Sequence, residues 1–468
     1  MRIEINSRLK RRGIWRFSVF PVLMACIAPP ATAGPPTLQA EWSWTPSQGI
    51  EWVEQALPGR SELLVNTRDG SLHVFNLESG KALLTEPIPA RPGLRPVPVP
   101  LIPQSLDPYS QTYCFDRFTV LAVRLMPQPG LAWRVGTWCE GLAEPAPPGG
   151  ADPNKTFQGD PEELCQLLAA AHTPWGVIVA RNDGRFGLLD RADGRVVWQH
   201  KFEAIALARL HVWGSEAALL WRSGPEVHAI SMDVRTGRFR EYPILPERPW
   251  PFWSSLTGGG LVLIEPERCI FATPRSAQTV FSTPAGTNII AASVALQPES
   301  PTAETSTGPV VIFGTSDGVL RAINPQDGRE YWTATHGPAM QATGGAVGQS
   351  WTWVKLLGDL VVSAAGETAQ VRAASTGDLL AEFKAETPVR LLDAAVIAGR
   401  VWILLEHAAG QPRFELVSVN QVTQTAPAGD TETPRFRLDQ PGIYLGALWA
   451  DRHLVVSTRS GIAAFVIP

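Results

Sequence analysis

A unit of two short strands and two glycine turns recurs along the chain. Its clearest copy is residues 314–337, GTSDGVLRAINPQDGREYWTATHG, in which an apolar strand ends at the pair Asp317-Gly318. This pair suits a tight hairpin turn because both residue types tolerate a positive φ. A short alternating strand follows, and a second turn comes at Gly328. Trp332 lies four residues further on. No other feature of the sequence constrains the fold as much as this recurrence.

Eight copies of the unit are recognisable. Three of them keep ten residues between the first and second turn glycines. The turn residues of these three copies are Asp69, Gly70 and Gly80, then Asp183, Gly184 and Gly194, then Asp317, Gly318 and Gly328. In two of the three, a tryptophan follows four residues after the second glycine, at Trp198 and Trp332. The strand-and-turn segments of the eight copies are 61–70, 175–184, 215–224, 258–269, 309–318, 358–366, 400–410 and 452–461.

Short strands that repeat every ~40–50 residues predict a β-propeller. We therefore expect an all-β fold over residues 38–468, a single eight-bladed β-propeller of four-stranded antiparallel blades. The many tryptophans would fill the wedges between adjacent twisted sheets. The last copy stops at Pro468 before its second turn, and the Trp-bearing segment 42–44 supplies a matching strand. The N- and C-terminal strands are therefore predicted to share one blade and close the ring.

The interval between the first two copies is too long for one blade. We predict an insertion at 95–172, which begins with a Pro-dense stretch and continues with a hairpin around Pro127–Gly130. A short helix is expected after that, with Asp160 as its cap and with Leu167 and Leu168 inside it. The alternative is that this interval hides a ninth, degenerate blade.

The N-terminus has the pattern of an export signal. Arginines and one lysine precede a short apolar run, and Ala31-Thr32-Ala33 is a small-residue cleavage site, so residues 1–33 are predicted to be a signal peptide. The alternative is a lipobox at Leu23-Met24-Ala25-Cys26, in which Cys26 becomes the lipidated first residue. Both alternatives predict export. The apolar run is too short to form a transmembrane span.

Charge limits the classes of partner that the protein can bind, and the number of cysteines predicts disulfides. Removal of residues 1–33 leaves 34 basic and 43 acidic residues, which argues against nucleic acid or an anionic membrane as a partner. Four cysteines remain, and an even number in an exported chain predicts two disulfides with three possible connectivities. The disulfide candidates are Cys114, Cys139, Cys165 and Cys269.

No catalytic or metal-binding motif emerges from the sequence. The eight histidines are scattered without a zinc-ligand spacing. Residues 314–318 match Gly-x-Ser-x-Gly, but a nucleophile elbow leads from a strand into a helix, and here a second strand follows. Ser316 is therefore interpreted as a turn residue. No catalytic residue, no metal ligand and no cofactor is predicted.

The repeat resembles that of a known family. The pattern DG-x-L-x-A-[LI]-[DN]-x-x-[TD]-G-x-x-x-W is strongest at 183–198 and 317–332. It is similar to the repeat of pyrroloquinoline-quinone (PQQ)-type, or quinoprotein alcohol dehydrogenase-like, β-propellers. The absence of adjacent cysteines and of a recognisable calcium set favours the non-catalytic, BamB-like branch. That resemblance implies a periplasmic protein-interaction scaffold in the bacterial cell envelope, soluble or lipid-anchored at the outer membrane, with another envelope protein as its partner.

Two other functions remain open at this stage. The first is a quinoprotein oxidoreductase that uses PQQ and Ca²⁺, as the catalytic members of the resembled family do. The second is a sensor propeller that binds a ligand in its central funnel. An apolar patch on one face of the ring would favour a protein partner, and a polar, carboxylate-lined axial pocket would favour a ligand.

Overall fold

The computed structural model describes most of the chain after the predicted signal peptide. The described residues are 35–56, 61–90, 93–97, 111–138, 141–142, 165–243, 250–251, 253–257, 260–295, 310–335, 353–365, 367–385, 389–407, 413–419, 434–450 and 452–468.

These residues form 38 β-strands. Two N-terminal strands and the first two blades contain β1 (Thr37–Leu38), β2 (Trp42–Trp44), β3 (Ile50–Gln55), β4 (Glu62–Thr67), β5 (Ser71–Asn76), β6 (Ile88–Pro89), β7 (Arg95–Pro96), β8 (Gln111–Phe115), β9 (Thr119–Arg124), β10 (Gly130–Trp138) and β11 (Gly141–Leu142). Blades 3 to 5 contain β12 (Leu167–Thr173), β13 (Gly176–Arg181), β14 (Arg185–Asp190), β15 (Val196–Lys201), β16 (Leu207–Trp213), β17 (Glu216–Ser223), β18 (Glu226–Asp233), β19 (Phe239–Glu241), β20 (Trp253–Thr257), β21 (Gly260–Glu265), β22 (Arg268–Thr273) and β23 (Ser276–Ser282). Blades 6 to 9 contain β24 (Ile289–Ala295), β25 (Val310–Thr315), β26 (Val319–Ile323), β27 (Glu330–Thr335), β28 (Trp353–Leu357), β29 (Leu360–Ala365), β30 (Thr368–Ala373), β31 (Leu379–Lys384), β32 (Val389–Ile397), β33 (Arg400–His407), β34 (Arg413–Val419), β35 (Arg435–Leu438), β36 (Tyr444–Ala450), β37 (His453–Thr458) and β38 (Ile462–Val466).

Across the described residues, the strands make nine sheets that follow one another along the chain. Each sheet is an antiparallel meander whose first strand contacts the first strand of a neighbouring sheet at most of the junctions, for example β12 with β16 and β28 with β32. The first strands therefore line the centre of the ring, and the fourth strands lie at its outer rim. Blade 2 carries β11 as an extra outer strand, and blade 8 carries β1, which pairs in parallel with β35.

The hydrophobic core is divided among the junctions between blades. Nine clusters of buried apolar residues occur in the described chain, and each contains residues from two successive sheets. One face of each second strand packs in the cluster toward the preceding blade, and the other face packs in the cluster toward the next blade. Strands β13 and β25 are therefore buried along their whole length. One cluster joins blade 9 to blade 1 through Val455 and Val65. A single blade cannot bury its own faces, so the ring is stable only as a whole.

The predicted number of eight blades is wrong, because the described chain has nine. The missed blade is blade 2, which lies inside the predicted insertion at 95–172, so the alternative of a hidden ninth blade is correct. Its second and third strands, β8 and β9, are joined by a turn at Asp116-Arg117-Phe118 that contains no glycine. Asp116 caps this turn by accepting a hydrogen bond from the Phe118 N–H at 2.7 Å. The Asp-Gly signal is therefore missing although the turn is present.

Two details of the predicted insertion have different outcomes. The hairpin around Pro127–Gly130 is confirmed, because β9 pairs with β10 in antiparallel fashion across it. The end of the predicted helix is wrong, since Leu167 and Leu168 lie in strand β12, which pairs with β13. Packing of this strand against two neighbouring blades outweighs the helical spacing of its leucines. Asp160 and the expected start of that helix lie outside the described residues.

The predicted closure of the ring is confirmed. Strand β2 pairs with β38 in antiparallel fashion, with Trp42 opposite Ala464, Ser43 opposite Ala463 and Trp44 opposite Ile462. The sheet order of blade 9 is therefore β2-β38-β37-β36, in which the outermost strand comes from the beginning of the described chain. The first strands of blades 9 and 1, β36 and β3, are in contact as well.

Candidate binding site

The predicted turn aspartates act within their own turns. Thr67 donates its hydroxyl to Asp69 at 2.6 Å, and Thr315 does the same to Asp317 at 2.5 Å. The Thr67 hydroxyl and the Ser71 N–H hold the pKa of Asp69 below its ordinary value. Asp69 also accepts a hydrogen bond from the Ser71 N–H at 3.0 Å, so it ties the end of β4 to the start of β5.

The third such aspartate has a different partner. Asp183 receives a bidentate contact from Arg181, with Nη2 at 2.8 Å and Nε at 3.1 Å. Arg181 is 1% exposed and lies at the end of β13. The turn carboxylate compensates the buried guanidinium within a single turn, so Asp183 serves this local ion pair and is not available to a ligand.

The second turn glycines receive tryptophans from the preceding blade. Trp332 donates its indole N–H to the Ala374 carbonyl in blade 7 at 2.7 Å, and a Cβ on Gly377 would meet its ring at 2.6 Å. The Trp198 indole donates to the Val234 carbonyl in blade 4 at 2.8 Å. The same fit joins Trp42 to Gly80 and Trp133 to Gly194. At Gly328 the close neighbour is instead the Val280 carbonyl.

Two of the predicted disulfide cysteines are free thiols. Cys114 is buried between blades 1 and 2, and Cys269 is buried between blades 5 and 6. Burial raises the pKa of the Cys114 thiol, and it raises that of Cys269 to about 12. Both behave as small apolar core residues, so the prediction of two disulfides is wrong. Cys165 is disulfide-bonded, whereas Cys139 and Cys26 lie outside the described residues.

A solvent-open cavity of about 740 Å³ lies where the first strands of blades 7, 8 and 9 end. We call it the mouth cavity, and its walls are the end of β28 with the following turn, the segment Asp393–Val396 of β32 and the segment Ala447–Trp449 of β36. Because first strands line the centre of the ring, this cavity is at the rim of the central channel, on the face formed by the turns between first and second strands.

Three side chains from three blades form a hydrogen-bonded network inside the mouth cavity. Lys355 of blade 7 donates from Nζ to Asp393 Oδ1 at 2.7 Å and to the Ala394 carbonyl at 3.1 Å. Trp449 of blade 9 donates its indole N–H to Asp393 Oδ2 at 3.0 Å. The Asp393 side chain is 15% exposed, and the Lys355 side chain is 35% exposed. The carboxylate of blade 8 therefore joins all three blades.

Strand register explains why these side chains meet. Asp393 follows a bulge in β32 and lies opposite Leu404, which packs toward blade 9. Trp449 lies opposite Leu454, which packs back toward blade 8. The aspartate and the indole thus face each other across one junction, and the bulge aims the carboxylate at it.

The rest of the mouth cavity is mainly apolar. Leu357 and Leu448 line it together with Val396, which is 42% exposed. One further charged residue, Asp359, is exposed at the turn after β28. An open apolar wall beside a fixed donor and acceptor can hold an apolar side chain and orient its polar neighbours.

Sequence reasoning missed this site. Its residues belong to the first strands, whereas the recognisable repeat consists of the second and third strands and their turns. A signal was nevertheless present in the run LLDAAVI (391–397), whose other six residues are all apolar and in which Asp393 is the one charged residue. Such an isolated charge predicts a buried partner.

Metal ligands do not cluster in the described part of the chain, where no three His, Cys, Asp or Glu side chains converge on one point. No helix in that part has the length and hydropathy needed to cross a bilayer.

The fold defines the class of protein. In its described residues the chain is an all-β propeller of nine antiparallel blades. By coordinates it is similar to BamB from Moraxella catarrhalis (14% identity, 92% of this chain and 100% of that chain covered, TM-score 0.45). It is also similar to the computationally designed Ika8 protein (11% identity, 92% of this chain and 98% of that chain covered, TM-score 0.48). A third similar structure is Saccharomyces cerevisiae Sqt1 (12% identity, 92% of this chain and 100% of that chain covered, TM-score 0.49). No family model and no curated protein sequence matches the chain. Likenesses this weak assign neither a function nor a partner, and membership of the PQQ-type repeat family stays a prediction.

Proposed function

We propose that the protein is a non-catalytic propeller scaffold that binds another protein through its mouth cavity. The observation that carries this proposal is the combination of Val396, 42% exposed, with an open cavity of about 740 Å³ at the channel rim. An exposed apolar side chain at the lip of a concave, mainly apolar surface is typical of protein-binding sites. Apolar residues predominate in its lining, which by the criterion stated above favours a protein partner over an axial ligand.

The compartment is part of the proposal. We propose that the protein works in the bacterial periplasm, either soluble or held at the outer membrane by a lipid on Cys26. The support is the sequence pattern of residues 1–33. Mass spectrometry of the mature N-terminus separates the two forms, since one begins at Gly34 and the other at an acylated Cys26.

Site-specific photocrosslinking in the native cell tests the binding proposal. A photoreactive amino acid replaces Val396 in one strain and Val197 in a control strain. Val197 is 50% exposed but lies on β15, at the outer rim of blade 3. We expect a discrete protein adduct from position 396 and none from position 197. Equal adducts from both positions, or none from 396, would contradict the proposal.

A further inference from the structure

The charged groups inside the mouth cavity are bonded to one another. Asp393 Oδ1 accepts hydrogen bonds from Lys355 Nζ at 2.7 Å and from the Ala394 N–H at 2.8 Å. Its other oxygen accepts the indole N–H of Trp449 at 3.0 Å. A charged group of the partner that entered the cavity would therefore lose its water and meet only charges that are already paired, which is costly.

The charges at this site cancel in two separate sets. Inside the cavity, the Lys355 ammonium and the Asp393 carboxylate form an ion pair without net charge. Two acidic and two basic residues follow β28, β32 and β36 in the sequence, namely Asp359, Arg400, Asp451 and Arg452. Such a mixture of signs gives neither an acidic nor a basic partner a net attraction.

We propose that Asp393 sets the specificity of the mouth cavity, since by neutralising Lys355 it makes the cavity select an uncharged, apolar stretch of the partner. The proposal rests on the function proposed above and specifies the chemistry of the partner. Apolar side chains of that stretch pack among Leu357 of blade 7, Val396 of blade 8 and Leu448 of blade 9, which line the cavity. The binding free energy then comes from burial of apolar surface and depends little on salt.

Asp393 differs from the other carboxylate of the lining. Its side chain is 15% exposed and contacts the ammonium, whereas Asp359 is exposed at the turn after β28. A charge that loses its partner in a partly enclosed site attracts an opposite charge strongly, whereas water and salt screen a charge on an exposed turn. Loss of Asp393 therefore changes what the cavity selects, and loss of Asp359 does not.

Selection from a library of random displayed heptapeptides on the full-length protein tests the proposal. For the wild type we expect a consensus of Leu, Ile, Val or Phe without a charged position. The affinity of that consensus should change less than ~twofold when salt is raised from about 50 to about 500 mM.

The decisive variant is Asp393→Asn, which keeps the shape of the side chain and raises the charge inside the cavity by one. Its consensus should gain Asp or Glu at one position. A peptide with that carboxylate should bind the variant about tenfold more tightly than it binds the wild type, with an affinity that weakens as salt is raised. The matched control is Asp359→Asn, which removes the same charge from the exposed turn and should select the wild-type consensus.

Lys355→Met is the converse variant, because it removes the ammonium and keeps the carboxylate of Asp393. Its consensus should gain Lys or Arg, and it decides the question if Asp393→Asn does not fold. Thermal melts of all variants separate changed specificity from lost folding. A merely structural role of Asp393 would lower the affinity without adding a charged position to the consensus.

Several outcomes would overturn the proposal. These are a charged consensus or none for the wild type, the same consensus for Asp393→Asn and the wild type, or acidic peptides selected equally by Asp359→Asn. If no peptide is enriched while Val396→Asp abolishes saturation transfer from a panel of monosaccharides, the cavity binds sugar and the proposal fails. If photocrosslinking at position 396 still captures one protein in any of these cases, the scaffold function stands and only the role of Asp393 is wrong.

Discussion

His211 illustrates how a single residue couples the ring to pH. It lies on the first strand of blade 4 and is hydrogen-bonded to the Ser254 hydroxyl of blade 5 at 2.8 Å. Burial, helped by the charge of Arg209, lowers its pKa to about 4. An unfolded histidine titrates near ~6.5, so between that pH and about pH 4 the unfolded chain binds a proton that the native chain does not.

Acid should therefore destabilise the protein through His211. As pH falls from about 6.5 to about 4, we expect the free energy of unfolding to drop by up to ~3 kcal/mol from this residue alone. Urea unfolding at about pH 7.5 and about pH 4.5 measures the drop. In His211→Gln, which cannot take up the proton, the difference between the two pH values should be smaller by a similar amount. An identical difference in wild type and variant would exclude His211 as its source.

At the same scale, the sequence predicts turn residues better than site residues. Asp69 and Asp317 carry out their roles within a few neighbours, so a local pattern reveals them. Lys355, Asp393 and Trp449 meet only because three blades are adjacent in the ring. Their juxtaposition depends on the number, order and register of the blades, which one repeating unit does not encode.

At the scale of the structural element, adjacent blades are joined by contacts between a tryptophan on the outer strand of one blade and a turn of the next. A glycine accepts the indole at four described junctions, and at Gly377 two requirements coincide: a φ of +75° and contact with the ring of Trp332. Any Cβ there meets a buried indole that is already held by a hydrogen bond to Ala374.

Gly377→Ala should accordingly destabilise the protein by about 2–4 kcal/mol, partly from backbone strain and partly from overpacking. Gly318→Ala is the matched control, because Gly318 has a similar φ of +82° and nothing within 4 Å of an added Cβ. It should cost only ~1–2 kcal/mol from strain. Urea midpoints of the two variants provide the comparison, and equal losses would contradict the packing role of the Trp332 indole.

Blade 2 is the blade whose strands could not be recognised as a repeat from the sequence. Its turn at Asp116–Phe118 uses an aspartate cap without a glycine, and its first strand, β7, has two residues. Both signals on which the repeat depends are therefore weak in this blade, although Trp133 still packs on Gly194 of the next one. Blade 5 also joins its second and third strands without a glycine, at Pro266-Glu267, but the three glycines at 258–260 mark the start of its second strand in the sequence.

For the molecule as a whole, closure of the ring matters most. Every junction between successive described blades contains a buried apolar cluster, and the one between blades 9 and 1 depends on strands from opposite ends of the described chain. The sequence predicts this closure because an incomplete last copy is matched by a Trp-bearing segment near the start. The sequence does not predict the number of blades, since that number depends on blade 2, which has neither a glycine at the turn between its second and third strands nor a long first strand.

Disulfide trapping of this closure tests the account most directly. Ser43 and Ala463 lie directly opposite each other in β2 and β38, so Ser43→Cys/Ala463→Cys should form an intramolecular disulfide in high yield. In Ser43→Cys/Ala464→Cys the second cysteine points to the other face of the sheet, and little bond should form. Peptide mass spectrometry after mild oxidation gives both yields. Equal yields in the two variants, or cross-links only between molecules, would contradict a ring closed by these two strands.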